Sequence, residues 1–175
     1  MKKFRLLLLD ANIIIEISRH GLFRQVIRLC EVHLAQTVIN EAQFFDDENG
    51  NRQPIDLTEL ISTAAVTVFS LVPSELAELR SKFSPAYFEK LDPGETESLA
   101  YLFRQPEESR ICSADKIVFR VLGASGSAEQ GISLEEVLEE IGLARKLSRE
   151  FTQQYREQWT KKGFQEGLQG RPWGP

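Results

Sequence analysis

An apolar run, Leu6-Leu7-Leu8-Leu9, stops at Asp10 and gives way to Ala11-Asn12 and then Ile13-Ile14-Ile15. Four consecutive apolar residues without polar alternation describe a short strand covered on both faces, as in a parallel sheet. The pattern predicts a strand over 4–9 and a helix over 12–19, with Gly21 separating a second amphipathic stretch over 22–29. A short strand over 31–36 follows, with Thr37 as the N-cap of a helix over 38–45. Residues 46–54 are polar and rich in turn formers, which predicts an exposed loop. A short helix over 57–64, a β-branched strand over 65–71 and a helix opened by Pro73 come next. Pro85 and Pro93 bracket an irregular stretch that has room for one helical turn over 87–91.

The strand-then-acid pattern returns in the second half. Gly94 begins a helix to about residue 104, with Glu95 and Glu97 in its first turn, where the helix dipole favours acids. Ile111-Cys112-Ser113 is a short apolar strand ended by Ala114-Asp115, and a helix over 116–122 follows. A small-residue loop, an edge strand over 131–133 and a helix over 134–141 complete this part. Residues 144–162 read as one long amphipathic helix with Leu147, Phe151, Tyr155 and Trp159 at i+4 steps. Behind it comes a glycine-spaced end at Gly163, Gly167, Gly170 and Gly174. Strands alternating with helices predict an α/β protein, a three-layer α/β/α sandwich with a short, mainly parallel central sheet. The expected organisation is one domain over 1–143 and a C-terminal helical extension over 144–175.

The 175 residues, 42% of them hydrophobic, suffice for one domain with a real core. Asp10 interrupts the first apolar run far short of a signal-peptide core or a spanning helix, so a soluble, cytoplasmic protein with no membrane partner is expected. Cys30 and Cys112 sit in separate apolar stretches and read as buried small hydrophobes. His20 and His33 have no Cys or His partner at zinc-ligand spacing.

A net charge of −5 argues against a protein that holds nucleic acid by bulk electrostatics. It leaves open an enzyme whose carboxylates bind divalent cations, because the ions reverse the local sign. The charge is also uneven. From Arg145 onward seven basic residues face three acids, so the tail carries +4 and the remainder −9. The basic residues of this tail (Arg145, Lys146, Arg149, Arg156, Lys161, Lys162) form either a solvated face or a track for a nucleic-acid backbone. The apolar stripe packs against the domain or a second copy, and Trp173 is a candidate anchor for a partner.

Asp10 and Asp115 close two strands from opposite ends of the chain, and in open α/β sheets the carboxyl edge is where ligands bind. Glu41 and the pair Glu95/Glu97 lie near the starts of helices that leave from that same edge. Carboxylates gathered there repel one another unless a cation neutralises them, and hard oxygen donors select Mg2+ or Mn2+. Each acid also has a bland role: Asp10 as a helix cap, Glu95 or Glu97 as a first-turn acid, Asp115 as half of a surface pair with Lys116. A haloacid-dehalogenase-type phosphatase needs a second Asp two residues after the first, and Asn12 stands there. The acidic pair of a receiver domain is not evident.

The ordered set Leu-Leu-Leu-Leu-Asp10-Ala-Asn12, Val38-Ile-Asn-Glu41, Gly94-Glu95-Thr-Glu97-Ser-Leu-Ala100 and Ile111-Cys-Ser113-Ala-Asp115 resembles the PIN-domain family of metal-dependent nucleases, over about residues 4–125. The resemblance implies a parallel sheet with one acidic pocket for Mg2+ or Mn2+, and hydrolytic cutting of single-stranded RNA to 5′-phosphate and 3′-hydroxyl ends. It makes Asp10, Glu41, Glu97 and Asp115 catalytic metal ligands. Glu95 is an alternative or additional ligand, and Asn12 and Ser113 hold a carboxylate or a water nearby. Many small members are toxins with an antitoxin partner, and a homodimer is a further expected partner. A PIN-like module that binds or regulates without strong catalysis is the competing class.

Overall fold

The computed structural model describes residues 4–83 and 85–170; Trp173 and Gly174 lie outside the described residues. The first half comprises β1 (Phe4–Leu9), α1 (Ala11–Arg19), α2 (Phe23–Leu29), β2 (Cys30–Ala35), α3 (Gln36–Glu41), a hairpin of β3 (Phe44–Asp46) and β4 (Arg52–Pro54), α4 (Thr58–Ser62) and β5 (Val66–Phe69). Then come α5 (Pro73–Ser81), α6 (Pro85–Phe88), α7 (Pro93–Leu102), β6 (Arg110–Cys112), α8 (Lys116–Ala124), β7 (Gly131–Ile132), α9 (Leu134–Glu140) and α10 (Gln153–Leu168).

The main sheet has the order β5-β2-β1-β6-β7, and every neighbouring pair is parallel. The chain begins in the middle, walks outward through β2 to β5, then returns to the other side of β1 through β6 to β7. The direction of winding therefore reverses between β1 and β6. At such a point successive connections leave on opposite faces of the sheet and open a crevice at the carboxyl ends of the two strands.

Strand alternation divides the core in two. Leu8 and Ile111 point into a cluster with Leu79, Leu99, Leu102, Val118, Phe119 and Leu122, so α5, α7 and α8 cover that face. Leu9 and Cys112 point the other way, against Ile13, Ile17, Val26, Val38, Leu134 and Val137 of α1, α2, α3 and α9. This is the three-layer α/β/α sandwich, helices on both faces of a parallel sheet. Each fully buried Leu or Ile contributes about 2 kcal/mol of hydrophobic stabilisation. Cys30 and Cys112 are both free and buried. Among the described residues no helix is long and apolar enough to cross a membrane.

Four local expectations are corrected. The polar stretch 46–54 is not all loop: its ends pair as the antiparallel strands β3 and β4. Asp47 organises the turn by accepting the Asn49 and Asn51 N–H groups, both at 2.9 Å. Thr37 does not cap a helix, since α3 already starts at Gln36 with Ala35 in the cap position. The long helix over 144–162 is instead an irregular stretch, a 3-10 turn at Arg149–Phe151 and the separate helix α10. Thr152 caps α10 through its hydroxyl, and its extended backbone (φ −89, ψ 154) breaks continuity with the turn before it. Leu147 and Phe151 therefore join the core beside α1 and α9, whereas Tyr155 and Trp159 join the one beside α8.

The fourth correction concerns the glycines. Gly163 and Gly167 do not follow the last helix as a glycine-spaced end but lie in the interior of α10. A Cβ at Gly163 would lie 2.0 Å from the Arg120 carbonyl oxygen, and one at Gly123 would lie 2.0 Å from that of Thr160. Only glycine lets α8 and α10 approach backbone to backbone. Arg120 and Glu166 clamp the same contact with a bidentate ion pair (2.7–3.1 Å), and Arg156 does likewise with Glu136 of α9 (2.7 and 2.8 Å). The C-terminal helical extension thus packs closely against the sandwich, through α8 and α9.

Candidate functional site

Asp10 follows β1 at the crevice, and its N–H donates to the Cys112 carbonyl at 3.1 Å, tying it to the end of β6. It occupies the N-cap position of α1, yet its side chain makes no capping hydrogen bond. The carboxylate instead accepts the Ser113 hydroxyl at 3.0 Å. Ser113 is fully buried and in turn accepts the Asp115 N–H at 3.0 Å, so one hydroxyl connects the two acids. Asp115 does cap its helix, accepting the Ile117 N–H at 2.8 Å, and stays partly exposed.

The third wall is the start of α7. Asp92 and Glu95 form a reciprocal capping box: Glu95 N–H donates to Asp92 (2.7 Å) and Asp92 N–H to Glu95 (3.0 Å), with Pro93 at the first helical position. Glu95 is only 4% exposed, as is Asp10. Glu41, the last residue of α3, stands at the exposed rim and accepts the Gly94 N–H. A Cβ at Gly94 would fall 2.9 Å from the Glu41 carboxylate and 3.0 Å from Val38, so the missing side chain makes room for that acid.

Glu97 takes another direction. One of its oxygens accepts the Thr37 hydroxyl at 2.6 Å and the other the Leu71 N–H at 2.8 Å, which joins α3 to the segment after β5. Residues i and i+2 of a helix point about 200° apart, so α7 sends Glu95 into the crevice and Glu97 out of it. The expected grouping of Glu97 with Asp10, Glu41 and Asp115 is therefore corrected to one containing Glu95. Asn12 is exposed on the first turn of α1 and joins none of these hydrogen bonds.

Electrostatics couples the members of the group. Burial pushes the Asp10 carboxyl up to about 6; Ser113 partly offsets this, and the charges of Asp92 and Asp115 add to it. Burial pushes Glu95 up to about 9; the Asp92 N–H opposes this, and the charges of Asp115, Asp92 and Asp10 reinforce it. Glu41 is raised by burial and by Asp92, against the Gly94 hydrogen bond. Among the described residues none of these acids is paired with a basic side chain. Like charges held together with two members buried are costly unless protonated or met by a cation.

The donor set is hard oxygen throughout, which suits Mg2+ or Mn2+. Among the described residues, however, no three acidic, His or Cys side chains converge closely enough to enclose an ion as they stand. Glu41, Asp92, Glu95 and Asp115 are each turned toward a backbone N–H, so the crevice is an electronegative station rather than a closed coordination shell. Sequence reasoning missed Asp92. Its signal was present in Asp92-Pro93-Gly94-Glu95, an N-cap acid, a first-turn proline and an acid three residues on.

No protein-family model matches this chain, and no curated protein or solved structure matches it significantly.

Proposed function

We propose that this chain is a Mg2+- or Mn2+-dependent endoribonuclease that hydrolyses single-stranded RNA at the crevice between β1 and β6. One observation carries the reading: two buried carboxylates, Asp10 and Glu95, sit among further acids at the reversal of the sheet with no basic partner among the described residues. The capping box of α7 accounts for Glu95 beside Asp92 but not for burying Asp10 among the same acids, whereas a cation-binding site does.

Asp10, Glu95 and Asp115 would hold the ion, with Glu41 and Asp92 at the rim. A bound divalent cation supplies charge neutralisation at the phosphate and a source of acidified water. The chain's own contribution is positioning. Ser113 holds Asp10 in orientation, the capping box holds Glu95, and the ends of β1 and β6 keep Asp10 and Asp115 adjacent. Burial of Asp10 strengthens its interaction with any cation that reaches it.

The second reading, a PIN-like module with weak or no catalysis, is favoured by the lack, among the described residues, of three acids gathered closely enough to enclose an ion. The test is cleavage of a labelled single-stranded RNA with Mn2+ by the wild type and by Asp10→Asn. The expected result is ion-dependent cutting that the variant loses. Equal cutting by both proteins overturns the nuclease reading. Mn2+ binding that depends on Asp10, without any cutting, selects the second.

A further inference from the structure

The register of α10 against α8 bears on how a substrate reaches the crevice. Lys116 meets Trp159, Arg120 meets Gly163 and Ala124 meets Gly167, each pair four residues beyond the last on both helices. The two helices therefore run parallel. Since α8 begins at the carboxyl end of β6, immediately after Asp115, the first turns of α10 lie at that same edge. Tyr155 stands one turn before Trp159 on α10 and so lies nearer still to that edge.

The surface here has a particular chemistry. Tyr155 and Trp159 are half-buried and meet edge to face at 6.0 Å. The ammonium groups of Lys116 and Lys162 lie 5.9 and 5.1 Å from the Trp159 ring centre, and both side chains are exposed. Exposed cation–π contacts of this kind are worth only about 0.5–1 kcal/mol. A polyanion would draw the lysines off the ring and leave its face to a base. Rings that stack bases beside cations that meet phosphates are what a single strand requires.

We propose that Tyr155, Trp159, Lys116 and Lys162 form a platform on which single-stranded RNA lies as it enters the acidic crevice. The inference rests on the nuclease reading and names the path its substrate takes. It also revises the basic track expected along the tail. Arg156 is occupied by Glu136, and the working cations are Lys116 and Lys162, one from each helix.

The chain contains two tryptophans, so Trp173→Phe leaves Trp159 as the fluorescent reporter. This full-length variant is titrated with a 15-nucleotide oligouridylate in EDTA, with anisotropy of an end-labelled strand read in parallel. The expected result is saturable quenching of Trp159. Adding Lys116→Ala and Lys162→Ala should weaken binding at least fivefold and flatten the salt dependence by about 0.7 per lost phosphate contact. Binding seen by anisotropy with unchanged Trp159 emission overturns the platform, and so does the absence of binding. Equal quenching by an oligoglutamate peptide also overturns it, because the patch then takes an acidic protein segment. Ion-dependent RNA cutting with a silent Trp159 removes the platform and leaves the nuclease reading standing. Quenching together with full cutting by Asp10→Asn does the reverse.

Discussion

Glu95 and Glu97 stand two residues apart on α7, and both are almost wholly buried, at 4% and 6% exposure. Their surroundings differ completely. Glu97 is met on both oxygens by donors from Thr37 and Leu71 and joins three segments of the fold. Glu95 has one backbone donor, from Asp92, and faces the charges of Asp10, Asp92 and Asp115. A buried carboxylate surrounded by donors stabilises the structure it joins; one surrounded by carboxylates destabilises it. Burial alone therefore says nothing about function, and the neighbours decide it.

The sharpest break in that comparison is catalytic. Asp10→Asn and Glu95→Gln should each cut RNA cleavage by about 100-fold or more, a barrier increase on the order of 3 kcal/mol. Both should also raise the melting temperature near pH 8 by on the order of 1–3 kcal/mol of stability, since Asp10→Asn removes a buried charge and Glu95→Gln removes the cost of protonating a carboxyl on folding. A cleavage-dead variant that is less stable than the wild type would contradict the strain assigned to this crevice. Glu97→Ala should behave oppositely. It leaves the Thr37 hydroxyl and the Leu71 N–H without their acceptor and should cost about 2–4 kcal/mol in chemical denaturation. The loss of activity at low temperature should be much smaller than for Glu95→Gln.

The pH dependence follows from the signs. Asp10 and Glu95 bind protons more tightly in the folded chain than in the unfolded one. Their favourable contribution is complete below about pH 4 and lost as pH rises through about 6 for Asp10 and about 9 for Glu95. The melting temperature should therefore fall between pH 5 and pH 9, Glu95→Gln should flatten the upper part of the fall, and Mn2+ at pH 8 should reverse it. An identical pH profile for wild type and variant would contradict the assignment. Gly94→Ala is the mildest change. The new methyl displaces Glu41, while the gain in helix propensity, up to about 1 kcal/mol, offsets the crowding. Stability should hold within about 1 kcal/mol, and cleavage should fall several-fold.

Much of this was legible in the chain, for identifiable reasons. The runs before Asp10 and Asp115 are continuously apolar because their strands are covered on both faces, and each acid falls where such a run must end. The grouping of Asp10 with Asp115 follows from strand order, which alternation of elements suggests but does not specify. The choice between Glu95 and Glu97 was not legible, since both sit in one helical turn and spacing alone does not say which face meets the crevice. The i+4 stripe from Leu147 to Trp159 misled in a different way: Leu147 and Phe151 pack on one face of the sheet and the half-buried Tyr155 and Trp159 against the other, with Thr152 as the break between them.

What the residue order determined by itself is local: where apolar runs end, which residues cap, and therefore which acids stand at strand and helix termini. Tertiary structure decided which of those termini meet. The reversal between β1 and β6, the rotation of α7 and the backbone contact permitted by Gly123 and Gly163 each depend on elements far apart in the chain. Their physical reason is packing across the sheet, where the partner of a residue is set by the whole arrangement of layers rather than by its neighbours in sequence.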